Sequence, residues 1–424
     1  MPFTPLPGPD VEWQIADPKF TALPGAMAMY GTYEGGAYRI EVPVDWNGEL
    51  VVYAHGYRGN SEQTKLAVEN PPIRRHFIQN GFAWAASSYR SNGYVPGIGA
   101  QDSLILKDLF ADLVGQPKRT YIYGQSMGGH AAMITAEFVP GAYDGYFTEC
   151  GAIGGIETFD YFVSVATAAE YITGLELDGA ELSTFDLPEA LTWLTSELRP
   201  ILGSPGYLSA EGRQLMSVVS HLSGGPRPFF VEGLSDSSFP FFYLLLSIAA
   251  GSPPLLPDVE FDRNIESLVK AMGNRDTVYE IDSTLGLDAA ELNRGVERFE
   301  PDLAYRARSG EYPELAPFTG GIQQPVMQIK TTGDLFVPIS MEQEYLELAE
   351  AAGTTELLVQ RAIRAPGHCT FSMSERTRAF DDLVRWVRES IRPDGDDLSD
   401  DLSDVGLQFT DPLRSGDPGT LSLS

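Results

Sequence analysis

The 424 residues suffice for one large domain plus an inserted or second one, and 43% hydrophobic and 11% aromatic content is globular. With 59 acidic residues against 29 basic, the formal charge of −30 gives a surface that repels nucleic acid and anionic membranes. Two cysteines, Cys150 and Cys369, are too few for a disulfide scaffold and wrongly spaced for a zinc site.

The opening Met1-Pro2-Phe3-Thr4-Pro5-Leu6-Pro7-Gly8 has neither a basic n-region nor an apolar h-region, so no export signal is expected in this sequence. A secreted mature form is preferred to a cytoplasmic one, in keeping with the acidic composition. Ala37 to Val44 alternates as an antiparallel edge strand does, and Glu49 to Ala54 is a continuous apolar run suited to a buried parallel strand. Ile73 to Asn80 is helical in pattern and Gly81 stops it; Phe82 to Ser87 is a second buried strand. Ala100 to Val114 reads as an amphipathic helix with Leu104, Leu106, Leu109, Phe110 and Leu113 on its apolar face.

Tyr121-Ile122-Tyr123-Gly124-Gln125-Ser126-Met127-Gly128-Gly129-His130 is the most informative stretch. A short aromatic and β-branched run enters Gly-x-Ser-x-Gly, and a small-residue helical pattern leaves it. Strand, sharp turn and helix then hold Ser126 at an apex, where larger side chains two positions either side would collide. The helix N-terminus aims N–H groups at whatever the serine attacks. Gly145 to Ala152 is a further strand.

From Ile156 to Phe318 the alternation stops. Helical segments such as Pro188–Leu198 and Glu211–Leu222 are separated by breaks at Gly224-Gly225-Pro226-Arg227-Pro228 and Gly251-Ser252-Pro253-Pro254. Phe229-Phe230, Phe239, Phe241-Phe242-Tyr243 and Leu244-Leu245-Leu246 are candidates for an apolar pocket, and Phe239 to Ala250 is too short to span a membrane. Alternation returns with Pro325–Lys330, a helix over Met341–Ala352, a last strand at Leu357–Arg361 and a long helix over Ser374–Ile391. The expectation is an α/β fold with a mostly parallel sheet and helices on both faces. Its core comprises residues 1–155 and 319–392, with a helical cap at 156–318 and an acidic, loosely held tail at 393–424.

A serine hydroxyl needs a base, and the base an orienting acid. Ile329-Lys330-Thr331-Thr332-Gly333-Asp334 reads as a strand ending in a Gly-Asp turn, and Ala365-Pro366-Gly367-His368-Cys369 as a loop after the final strand. The rival acids are Asp381, Asp382 and Glu149. His76 reads as a surface residue, His221 as part of the cap and His130 as a packing residue.

The order Ser126, Asp334, His368 resembles that of the α/β-hydrolase superfamily over about residues 37–155 and 322–392. The resemblance implies Ser126 as nucleophile, His368 as general base and acid, and Asp334 as its orienting acid. His55-Gly56-Tyr57 is similar to the superfamily's His-Gly loop, which implies oxyanion contacts from the Tyr57 and Met127 backbone N–H groups and a structural part for His55. Some tannase and feruloyl-esterase members carry a disulfide bracing serine and histidine, with one cysteine adjoining the serine; here that neighbour is Gln125. Two buried thiols are therefore expected, with a Cys150–Cys369 disulfide as the alternative.

The implied activity is serine-dependent hydrolysis of carboxylic esters, on a small or oligomeric substrate, without metal or organic cofactor, nucleic acid or stable membrane association. The alternatives are a capped serine peptidase and a non-catalytic binding protein of the same fold. Dehalogenase chemistry is disfavoured, because its nucleophile is an aspartate.

Overall fold

The computed structural model describes residues 13–59, 65–175, 187–204, 207–230, 270–306, 316–399 and 401–412. The pocket candidates Phe239 to Leu246, the break at Gly251–Pro254 and the Pro-rich first residues lie outside them.

An eight-stranded sheet forms the centre, in the order β1-β2-β4-β3-β5-β6-β9-β10. Its strands are β1 Ala26–Tyr33, β2 Gly36–Pro43, β3 Glu49–Ala54, β4 Ala83–Ser87, β5 Arg119–Gln125, β6 Gly145–Glu149, β9 Val326–Gly333 and β10 Leu358–Pro366. From β4 to β10 every pairing is parallel, and β2 runs antiparallel to both its neighbours. The expected edge strand Ala37–Val44 is thus antiparallel but interior, because β1 covers it. No residue of β1 is fully buried, and Met27, Tyr30 and Tyr33 are exposed, as suits a true edge.

Side chains alternate across the sheet with the two-residue period of a strand. Val51, Tyr53, Tyr121, Tyr123 and Phe147 join Phe77 and Phe380 on one face, while Leu50, Val52 and Ile122 join Phe110 and Ile134 on the other. The first face is covered by α1 (Arg74–Gln79) and by a long C-terminal helix, Met373–Glu389, which opens on a capping box of Ser372 and Glu375. The second is covered by α2 (Pro96–Leu113) and α3 (Met127–Phe138). The α2 helix starts earlier than its apolar periodicity suggests. Pro96 fits the first helical turn, and Gly99 packs so closely on Tyr89 that a Cβ would lie 2.9 Å from the ring. Leu113, expected on the apolar face, is exposed at the last turn.

Between β6 and β9 the described residues are mainly helical, with α4 (Ile156–Thr173), α5 (Leu187–Leu202), α6 (Ala210–Leu222), α7 (Ala289–Gly295) and α8 (Leu303–Arg306). A two-stranded ribbon, β7 (Gly203–Ser204) with β8 (Tyr207–Leu208), joins α5 to α6. The Tyr161 hydroxyl of α4 donates to the Leu335 carbonyl at 2.8 Å, which ties this region to the end of β9. Among the described residues, no helix is long and apolar enough to cross a membrane.

The acidic segment after Pro393 departs from the expectation of a loose tail, through residue 412. Leu398, Leu402 and Val405 are buried against Ile339 and Ala362, and the Arg361 guanidinium lies 4.3 Å from the Phe409 ring centroid. The Asp396 carboxylate accepts from the Ala362 N–H at 2.8 Å, the Asp396 N–H donates to the Gln360 carbonyl at 2.8 Å, and the Arg364 N–H donates to Thr410 Oγ1 at 2.8 Å. The segment therefore satisfies the open edge of β10, which a sheet must cover or charge. Its composition is dominated by outward-facing aspartates, and four apolar residues spaced three or four apart do the packing. Truncation after Arg392 is expected to lower stability by several kcal/mol, at about 1.5–3 kcal/mol per large buried apolar side chain as an upper bound. Urea denaturation of the truncated and full chains measures it.

Candidate active site

Ser126 sits between β5 and α3 at φ 53° and ψ −121°, a conformation that costs a non-glycine residue about 1–3 kcal/mol. The turn survives because its surroundings fix it: the Ser126 N–H donates to the Glu149 carbonyl at 3.0 Å, and the Ser126 carbonyl accepts from Ala152 at 3.1 Å. The flanking glycines have no substitute. A Cβ on Gly124 would lie 2.3 Å from the Gly128 carbonyl oxygen, and one on Gly128 would lie 1.9 Å from the Ala54 carbonyl oxygen. Strand, helix and the loop after β3 touch here through bare backbone.

His368 lies in the loop that follows β10. Its Nε2 is 2.8 Å from Ser126 Oγ, and its Nδ1 is 2.6 Å from Asp334 Oδ2. The Asp334 carboxylate also accepts from the Phe336 and Val337 N–H groups, both at 3.0 Å. It is fully buried. Burial pushes its carboxyl upward, but the charge and hydrogen bond of His368, with Lys330 and the backbone donors, outweigh that and hold it below its ordinary value. The structure therefore brings Ser126, His368 and Asp334 into one hydrogen-bonded chain.

The rival acids are engaged elsewhere. Asp381 meets His76 at 2.7 Å on the surface, Asp382 meets Arg361 at 2.8 Å, and Glu149 meets Arg376 at 2.7 Å. His221 stands 3.4 Å from Glu280. His130 receives or gives a hydrogen bond at 2.9 Å with the Tyr94 hydroxyl, and burial pushes it down to about 3, so it is neutral packing. His55 is buried, stacks on Tyr89 at 3.9 Å and donates from Nδ1 to the Gly56 carbonyl at 2.7 Å.

Gly56 lies against the nucleophile, since a Cβ there would be 3.2 Å from Ser126 Cβ. Tyr57 follows it with an exposed side chain, and Met127 opens α3, whose first N–H groups have no partner within the helix. Met127 adjoins Ser126 in the chain, and the loop that carries Tyr57 touches it through Gly56.

The cysteines depart from the expected thiols. Cys150 and Cys369 form a disulfide with Cα atoms 5.2 Å apart, and both residues have positive φ. The bridge joins the residue after β6, beside the elbow, to the residue after His368. Gln125 stands beside the serine in sequence, but strand β6 lies next to β5, so a cysteine 24 residues downstream of Ser126 ends beside the elbow. Cys150, His368 and Cys369 hold three potential ligand atoms within 4.8 Å. The sulfurs are bonded to each other and the imidazole to Ser126 and Asp334, so they do not form a metal ligand set.

Glu149 and Arg376 are the polar residues whose place the sequence did not reveal. Glu149 reads in the sequence only as a rival acid, and Arg376 only as part of the long helix expected over Ser374–Ile391.

A serine turn at the carboxyl end of a central parallel strand, with acid and base delivered beyond β9 and β10, is the plan of the α/β-hydrolase fold, and the chain has that fold. No family model matches the sequence. Among curated proteins it is similar to the o-phthalyl amidase of Xanthobacter agilis, 22% identical over 411 residues, covering 83% of this chain and 85% of the amidase. Among solved structures it is similar to feruloyl esterase B from Aspergillus oryzae at 13% identity and TM-score 0.46, covering 87% of this chain and 82% of the esterase. It is also similar to brefeldin A esterase, a bacterial homologue of human hormone-sensitive lipase, at 14% identity and TM-score 0.41, covering 88% and 79%. The acylaminoacyl peptidase of Pyrococcus horikoshii, at 11% identity and TM-score 0.42, is matched over 89% of this chain and 44% of the peptidase.

Gly128→Ala is expected to abolish a correctly formed site, because its methyl would have to displace the Ala54 backbone. Crystallography or loss of phosphonate labelling at Ser126 checks this; wild-type labelling in a soluble variant would contradict the close approach.

Proposed function

We propose that the protein is a serine hydrolase of carboxylic esters. The observation that carries this is the hydrogen-bonded chain from Ser126 Oγ through His368 to Asp334, at 2.8 and 2.6 Å, with the serine in a strained apical turn. Ser126 Oγ attacks the ester carbonyl carbon as its proton passes to His368 Nε2. Asp334 holds the ring orientation and stabilises the imidazolium without itself taking the proton. The carbonyl oxygen becomes an oxyanion between the Met127 and Tyr57 N–H groups, each donor contributing a factor of about 100–1,000. The tetrahedral adduct collapses, the ester C–O bond breaks, and the alcohol leaves with the proton from His368. Water then attacks the acyl-enzyme by the same steps in reverse roles and releases the acid.

Residues 156–318 act in this reading as a cap over the site. Support comes from an aromatic run that begins at the base: Phe336 lies 5.6 Å from His368, Phe162 stacks on Phe336 at 5.1 Å, Phe159 follows at 5.5 Å and Tyr94 at 4.9 Å. Such a wall suits an apolar or aromatic acyl group. Phe229 and Phe230 belong to the same region.

A second reading is amide hydrolysis, favoured by the similarity to an o-phthalyl amidase. The same residues serve it, because His368 is placed to protonate a leaving amine. No cofactor, nucleic acid or membrane enters either reading, and a secreted location is kept as part of the proposal.

A p-nitrophenyl ester series with matched p-nitroanilides separates the readings. Hydrolysis of the esters should vanish in Ser126→Ala and fall by about 10,000-fold in kcat in Asp334→Asn, while Asp381→Asn retains activity. Anilide turnover at comparable kcat/KM would move the assignment to an amidase. Equal ester hydrolysis by wild type and Ser126→Ala would leave the fold as a binding protein.

A further inference from the structure

The disulfide is not the only tie between the elbow and the base loop. The Arg376 guanidinium, on the first turn of the C-terminal helix, donates from Nη2 to the Cys369 carbonyl at 3.1 Å and from Nη1 to the Phe371 carbonyl at 2.8 Å. Its Nε donates to Glu149 Oε2 at 2.7 Å. The other oxygen of Glu149 accepts from Gln125 Nε2 at 2.6 Å, Tyr123 Oη donates to Oε2 at 2.6 Å, and Tyr53 Oη donates to Gln125 Oε1 at 2.9 Å. Gln125 immediately precedes the serine and Cys369 immediately follows the histidine. The chain Gln125–Glu149–Arg376–Cys369 thus spans the same gap as the Cys150–Cys369 bond, from the same strand end to the same loop.

Glu149 is fully buried and the Arg376 side chain is 13% exposed. A buried ion pair is weak evidence for stability, since desolvation offsets its attraction. Its geometric role is stronger: a planar fork with three bonds to fixed acceptors sets the position of the loop carbonyls in a way a flexible ammonium cannot. A misplacement of about 1 Å between reacting groups costs about 100-fold in rate, so whatever fixes this loop affects chemistry.

We propose that Arg376, seated on Glu149, is a positioning residue for His368 that acts in parallel with the disulfide, so that the Ser126–His368 alignment survives loss of either tie but not of both. The inference rests on the reading of His368 as the base. Its consequence is a hydrolase that tolerates reduction of its disulfide while Arg376 is in place.

The test is a double-mutant cycle on the full chain, with wild type, Arg376→Met, Cys150→Ala/Cys369→Ala and the combination. Two readouts are followed: kcat and KM on the best ester of the series, and the downfield Nδ1–H resonance of His368, which does not depend on turnover. Each tie lost alone should lower kcat by no more than about tenfold with KM unchanged, and leave the resonance visible. Loss of both should lower kcat by more than the product of the separate effects, beyond about 100-fold, and broaden the resonance away. Arg376→Lys should recover only part of the loss. Glu149→Gln/Arg376→Met should match Arg376→Met, which separates the lost tie from a stranded buried charge. If the combined variant does not fold, Arg376→Met is assayed before and after reduction of its disulfide.

The proposal is overturned if Arg376→Met lowers Tm alone and leaves kcat and the resonance unchanged in both cysteine backgrounds, or if the two losses simply multiply. Absence of Ser126-dependent turnover in wild type would overturn the hydrolase reading instead, and the resonance would still report whether Arg376 positions the ring.

Discussion

The site depends on a contact in which side chains are excluded. At the elbow, the backbone of β5, the first turn of α3 and the loop after β3 meet with no room for a single Cβ at Gly124 or Gly128, and Gly129 touches Gly151 in the same way. That packing sets Ser126 directly before the first turn of α3 and holds its strained turn without any side-chain cap. The strain is offset by β6 and the loop after it, whose Glu149 carbonyl and Ala152 N–H bind the serine backbone on both sides. Sheet order is therefore part of the chemistry: only with β6 beside β5 does Ser126 have these partners.

Electrostatics follow the same logic of neighbours. Asp334 is ionised in a buried place because three donors converge on it, and Glu149 is buried beside the same elbow because Arg376, Tyr123 and Gln125 saturate it. Both carboxylates are acidic residues at strand ends, yet their surroundings give them different work. One has its second oxygen on the His368 imidazole; the other meets a guanidinium that also binds the loop carbonyls of Cys369 and Phe371.

Much of the core was legible because its signals are local. The Gly-x-Ser-x-Gly turn, the apolar run at β3 and the Gly-His loop after β10 each declare themselves within a few residues, and chain order linked them. The parts that were missed depend on distant partners. The edge strand β1 has a pattern diluted by exposure, and the packed segment after Pro393 hides four apolar residues among aspartates. The Cys150–Cys369 bond was obscured because proximity in the sheet, rather than proximity in sequence, places Cys150 by the serine. Arg376 could be found only by knowing that its helix crosses beneath the elbow.

The separation of Ser126 and His368 by 242 residues, and of the two cysteines by 219, also fixes an order of assembly. During synthesis the elbow and most of the parallel sheet emerge first, while Asp334, His368 and the cover for the open edge of β10 follow later. Until those residues leave the ribosome, the nascent protein carries Ser126 without His368, one unpaired thiol and an incomplete sheet edge. The hydrogen-bonded chain through Ser126 is therefore assembled late, and the interval before it is when the growing chain has greatest need of protection from wrong pairing.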